Sequence, residues 1–282
     1  MVHSLGAGSE LVGRSHECDY PPSVGLLPVV SRPSLDLDGA SPEGIDLAVA
    51  QQMESGNTLY RIDEVLLRDL RPDVILTQNL CRVCAPSGDE LTRAVRKFAP
   101  QPEVLFLTPR SMHEIEINIA EVARAIGREK EAEAIVRSNK ERLARVRAAV
   151  KNAPLRRVVF LEWTDPLFCG GHWVPEMITF AGGEDPLGRP GEDSVRMEWA
   201  DVVDAGPEAI IVSPCGYRLE QSVHLARQMR PLPGVEVYAV DANAYFARPG
   251  PRVVEGVELL AHLFHPGLVP WTRAGQPWKR IR

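Results

Sequence analysis

Nowhere does the chain approach the roughly 18 consecutive apolar residues of a membrane span, so no membrane insertion is expected. No basic stripe runs through it either. Its 32 Lys and Arg are scattered among 38 Asp and Glu for a net charge of −6, which argues against nucleic acid as a main partner. There is no internal repeat, no low-complexity tract, no nucleophile elbow, no Walker sequence and no H-E-x-x-H, and no acid–base pair has a helical spacing that points to chemistry. The opening MVHSLGAGSE lacks the basic start and long apolar stretch of a secretory signal, which reads as a cytoplasmic chain. Cysteine is scarce. Five is an odd count, without the spacing of a stapled domain, and reduced thiols are the expectation.

What is present is an ordinary globular composition, 44% apolar and 25% charged, over 282 residues, enough for two lobes with cores of their own. ELVGRS (10–15), LPVVS (27–31), DVILTQ (73–78) and EVLFLT (103–108) read as strands, and RRVVFLEW (156–163), EAIIVSP (208–214) and VEVYAVD (235–241) resume the pattern. Helix signals lie between them. Ser41-Pro42 is a cap followed by proline, and SGDE (87–90) and SMHE (111–114) are capping boxes. VPEMITFAG, RLEQSVHLARQM and RVVEGVELLAHLF are amphipathic, and the tail from His265 reads as irregular. Residues 111–151 hold no proline and one glycine, Gly127, which predicts a long helix bent there. The alternation predicts an α/β fold with mostly parallel sheets: two Rossmann-like lobes, 1–110 and 154–282, joined by a long rigid helix over 111–153. A single larger α/β domain is the alternative.

In open parallel sheets the ligand crevice lies beyond the carboxyl ends of the strands. The reactive residues gather at such ends. His16, Glu17, Cys18, Asp19 and Tyr20 follow the first strand, and Gln78, Asn79, Cys81 and Cys84 follow DVILT. Trp163, Asp165, Cys169, His172 and Trp173 follow VVFLE, Cys215 follows AIIVSP, and Asn243, Tyr245 and Phe246 follow VYAVD. All five cysteines are thus expected in loops. If the two lobes face one another, these loops line one cleft.

LVGRSHECDYP, PDVILTQNLCRVC, LEWTDPLFCGGHWVPEMITFAGG, PCGYRLE and AYFARPGPRVVEGVELLA together resemble the cobalamin-binding branch of the helical-backbone (class III) substrate-binding proteins. That resemblance runs over nearly the whole chain. It implies the binding component of an ABC importer for vitamin B12, siderophores or haem, with a periplasmic or cell-envelope location as the alternative to a cytoplasmic one. Two departures stand out. Met1 starts inside what is the first helix of that family, so the first strand of the N-terminal lobe is expected to be missing and residues 2–5 to be poorly packed. The acids with which the family's vitamin B12 binders dock on their permease have no clear counterparts; the equivalent positions fall near Cys84 and Ala205, beside Asp204.

The ligand implied is a corrinoid, haem or a related metal chelate. Candidate ligand-binding residues are His16, Glu17, Asp19, Tyr20, Gln78, Asn79, Trp163, His172, Trp173, Trp199 and Tyr245. Broad rings suit a planar macrocycle, and the same rings serve core packing equally well. Trp199 matches a cleft tryptophan of the family's vitamin B12 binders. The C-x-x-C of Cys81 and Cys84, with Cys18 and Cys215, is a candidate soft-metal set, and His172 reads as readily as a cap for the helix after it. A cysteine- or metal-dependent enzyme using the same Cys and His residues is the alternative function.

Overall fold

The computed structural model describes residues 1–78, 91, 95 and 98–282; SGDE, Asn79, Cys81 and Cys84 lie outside these. Two units emerge, Met1–Thr108 with Ile117–Ala134, and Pro109–Glu116 with Ile135–Arg282.

In the first unit, β1 (Arg14–Ser15) pairs in parallel with β2 (Val29–Pro33), which pairs antiparallel with β3 (Tyr60–Ile62). A second sheet pairs β4 (Val74–Thr77) in parallel with β5 (Glu103–Phe106). Helix α1 (Pro42–Glu54) starts as its sequence predicts: Ser41 Oγ accepts the Gly44 N–H, and Pro42 takes the first turn, where its missing donor costs nothing. In α2 (Glu64–Leu70) the cap is Asp63, which accepts from Leu66 N. Leu67, Leu91 and Val95 form a buried cluster, with Val30, Ile62, Ile75, Phe98 and Val104 packed against it. Within residues 2–5, Leu5 corrects the expectation of poor packing, while His3 and Ser4 are exposed. Leu5 and Ala7 are fully buried, and the N–H groups of Leu5, Gly6 and Ala7 bond back to Met1, Val2 and His3 carbonyls. Apolar burial and a closed turn hold this segment without a strand.

The segment 111–151 is helical in two pieces, α3 (Met112–Ala125) and α4 (Glu129–Val150). Gly127, at φ +64°, breaks them, because the left-handed backbone needed there costs glycine nothing. Ser111 Oγ accepts from Glu114 N, and the Glu176 carboxylate accepts from Met112 N, so two donors of the first turn are satisfied.

The second unit is built on a seven-stranded sheet ordered β11-β7-β6-β12-β13-β14, with β9 also on β6. Its strands are β6 (Arg156–Thr164), β7 (Leu167–Cys169), β9 (Gly183–Glu184), β11 (Arg196–Met197), β12 (Ala209–Val212), β13 (Glu236–Val240) and β14 (Trp278–Arg280). A separate pair joins β8 (Gly171–His172) to β10 (Arg189–Pro190). The centre, β6, β12 and β13, is parallel, and β12 is buried throughout, as a strand covered on both faces must be. Helices α5 (Val174–Phe180), α6 (Trp199–Asp204), α7 (Leu219–Gln228), α8 (Ala242–Tyr245) and α9 (Val253–Phe264) complete it. Two expectations are corrected. The tail is not irregular to its end, because Trp278–Arg280 pair antiparallel with β13 and cover its free edge. Cys169 is not a loop residue: it ends β7, is 1% exposed and accepts from Val195 N, and burial pushes its thiol up.

Candidate functional site

In the first unit the register of β1 shifts between Arg14 and Ser15, and the chain leaves the sheet into the turn that carries His16–Tyr20. His16 is pinned to β2. Its backbone N–H donates to the Ser31 carbonyl, and its Nδ1 lies 3.2 Å from the same oxygen, which can only accept, so Nδ1 carries the hydrogen. Nε2 then faces the Glu17 carboxylate at 3.3 Å, and the ring leans on Tyr60 at 5.7 Å between centroids. Cys18 is exposed, its sulfur accepting from Ser15 Oγ, and Tyr20 is 60% exposed. Gln78 follows β4 and is half-buried.

In the second unit the groups cluster at the carboxyl ends of β6, β12 and β13. The pairing of β6 with β7 shifts register between Leu161 and Trp163, an irregularity of the kind that re-aims a side chain. Trp163 meets Tyr217, which follows β12, edge to face at 5.4 Å. Tyr217 was not singled out from the sequence, although it lies in PCGYRLE; burial pushes its hydroxyl up. Tyr245 ends α8, just past β13, with the Arg252 guanidinium 5.2 Å over its ring, and burial raises its hydroxyl too. Cys215 is exposed beyond β12, and its N–H donates to the Glu162 carbonyl.

His172 sits at φ +50°, the left-handed region, which costs a non-glycine residue on the order of 1 kcal/mol. What holds it there is the loop 192–194. A Cβ on Gly171 would stand 2.5 Å from Ser194 N and 2.9 Å from the Glu192 carbonyl, so only glycine allows that approach. His172 N–H donates to that carbonyl, and Nε2 donates to Asp193 Oδ1 at 3.0 Å. Arg110 braces the same carboxylate at 3.1 Å and donates to the Gly191 carbonyl. Burial pushes the His172 imidazole below its ordinary value; Asp193 opposes this and Arg110 adds to it. Nδ1 has no partner among the described residues. Neither Arg110 nor Asp193 was legible as a site residue, since the pair forms across 83 positions with no local pattern.

The other expected rings take different places. Trp173 is 5% exposed and donates its indole N–H to the Phe246 carbonyl. Trp199, the first residue of α6, packs against the core cluster of Leu161, Val202 and their neighbours. Among the described residues no group of three or more His, Cys, Asp and Glu side chains is placed to hold a metal ion, and no helix is long and apolar enough to cross a membrane.

Residues 61–230 match the family described as "Periplasmic binding protein". Solved structures with the same fold include a periplasmic haem-binding protein from Pseudomonas aeruginosa, at 19% identity and a TM-score of 0.68 over 99% of this chain and 92% of that one. The periplasmic vitamin B12-binding protein BtuF of Vibrio cholerae gives 18% and 0.63 over 93% and 91%. The periplasmic haem-binding protein RhuT from Roseiflexus sp. RS-1 gives 19% and 0.66 over 94% and 93%. No curated protein matches the chain.

Proposed function

Since the chain belongs to the periplasmic binding protein family, whose members bind ligands rather than transform them, we propose that it holds a corrinoid or a closely related metal chelate for an ABC-type permease. The ligand lies against the loops at the carboxyl ends of the parallel strands. The observation that carries this reading is the placement of three half-buried rings, Trp163, Tyr217 and Tyr245, beyond the ends of the adjacent strands β6, β12 and β13. Such rings give wide apolar contact with few rotors to freeze, which is what a planar macrocycle needs. His172 adds a polar contact. With its Nε2–H given to Asp193, the Nδ1 lone pair is available to a ligand. His16, Glu17, Asp19, Tyr20, Gln78 and Asn79 are kept as the candidate contacts of the first unit, Asn79 lying outside the described residues, and Trp173 and Trp199 back the rings of the second unit from its core.

Support for the ligand class comes from the neighbours' own cargoes, haem and vitamin B12. The family also favours the periplasmic location over the cytoplasmic one. The metal reading of Cys18, Cys81, Cys84 and Cys215 is kept only as an outcome of the test. Purified protein is titrated with cyanocobalamin, aquocobalamin and haemin, following absorbance and tryptophan quenching. Saturable one-to-one quenching by a corrinoid is expected. Quenching by haemin alone moves the ligand to haem, binding of none of the three removes the reading, and metal in protein prepared without chelator revives the thiol site.

A further inference from the structure

The turn that carries His16 to Tyr20 has almost nothing apolar to hold its shape. Of residues 15–26 only Val24 is buried, while Tyr20 is 60% and Leu26 90% exposed. Backbone amides close part of it, Cys18 N–H on the Ser15 carbonyl and Val24 N–H on that of Pro21, while Pro21 and Pro22 have no N–H to give. One side chain gathers further carbonyls. Arg14 Nη1 donates to the carbonyls of Ser15 at 3.2 Å, His16 at 3.3 Å and Cys18 at 3.1 Å, and Nη2 donates to the Gly25 carbonyl at 3.3 Å. The guanidinium therefore ties both limbs of the turn to one centre. Its own backbone N–H is fixed on the Pro28 carbonyl, and its Nε is buried with no partner among the described residues, so the side chain is enclosed by the turn rather than laid on it.

From this geometry we infer that Arg14 is the positioning residue of the ligand-facing turn in the first unit. It touches no ligand itself and fixes the backbone from which His16, Glu17, Asp19 and Tyr20 project. The inference rests on the binding role proposed above. The chemistry needed is a rigid, planar fork of donors aimed at several carbonyls, which an ammonium on a flexible stem cannot reproduce although it carries the same charge. A turn held in its bound shape before the ligand arrives avoids the ordering cost at binding, so loosening it weakens affinity.

The test uses the full chain with Arg14→Lys, Arg14→Met, Tyr20→Ala and the Arg14→Lys/Tyr20→Ala pair. Hydrogen exchange is read over residues 15–27, and dissociation constants for cyanocobalamin and haemin are read by tryptophan quenching. In Arg14→Lys, exchange in the turn accelerates while β12 and β13 keep wild-type protection, and the dissociation constant rises on the order of tenfold. In that background Tyr20→Ala costs little more, because Tyr20 is no longer held in place; a merely structural role would leave the two losses additive. Should Arg14→Met fail to fold, Arg14→Lys still decides. Wild-type exchange in Arg14→Lys overturns the inference, as does a loosened turn with an unchanged dissociation constant, or additivity in the pair. A wild-type protein that binds neither probe overturns the binding role and, with it, this one; the exchange arm then still reports whether Arg14 orders the turn.

Discussion

Asp193 accepts the Nε2–H of His172 at 3.0 Å, fixing both the tautomer and the direction of an imidazole that stands at a left-handed backbone position. Burial already holds that imidazole below its ordinary value, and the Asp193 charge is the main influence that opposes it. Asp193→Asn removes the charge and keeps an acceptor. The His172 ring is therefore expected to titrate at lower pH in the variant than in the wild type. Two-dimensional proton–nitrogen spectra of the ring follow this directly, and an unchanged titration would mean that the pair does not form in solution.

The centre of the second sheet was legible because VVFL and AIIV are short continuous apolar runs rich in β-branched residues, as a strand covered on both faces calls for. The short strands β7 to β11 were not. Two or three residues carry no period, and their pairing is decided by where distant loops arrive, as when Gly171 lets 192–194 approach. The same holds at the site. Aromatic and imidazole residues at strand ends could be read from order along the chain, whereas Arg110, Asp193 and the carbonyl-gathering of Arg14 exist only after folding. Trp173 shows the converse limit: composition marks a large ring, and only burial assigns it to the interior.

Asp185 gives a pH dependence that can be isolated. Its carboxylate accepts from Phe160 N and Leu187 N, yet burial outweighs these bonds and pushes it up to about 6 from 3.8. A carboxyl raised in the folded state binds its proton more tightly folded than unfolded. Its contribution is therefore fully present below about pH 4 and lost as pH rises through 6. The difference is on the order of 2–3 kcal/mol. In Asp185→Asn this loss is absent, so the variant gains on the wild type between pH 4 and 7. Urea unfolding at the two pH values measures it, and a parallel pair of curves would count against it.

Gly256 fixes the position of Tyr245. A Cβ there would lie 2.5 Å from Met177 Cε and 2.5 Å from the Tyr245 carbonyl oxygen. The methionine end can swing aside, but the backbone of α8 cannot. Gly256→Ala is expected to cost about 1–3 kcal/mol and to weaken ligand binding by displacing the Tyr245 ring. Gly250→Ala, where a Cβ meets nothing within 4 Å, is the control and should melt as the wild type.

Two tryptophans separate packing from binding. Trp199 packs on the cluster containing Leu161 and Val202, so Trp199→Ala is expected to cost about 3 kcal/mol in stability, toward the low end for a large ring that is only partly buried. Trp163 sits near the carboxyl end of the central strand β6, half-buried, meeting Tyr217 at 5.4 Å and donating its indole N–H to the Asp165 carbonyl. Losing it removes little core. Trp163→Ala should therefore keep stability within about 1 kcal/mol while weakening cyanocobalamin binding by about 1–3 kcal/mol, roughly 5- to 150-fold. Urea unfolding together with titrations at fixed salt and temperature reads both. A large stability loss in Trp163→Ala with an unchanged dissociation constant would turn that ring into a packing residue and move the ligand away from the ends of β6 and β12.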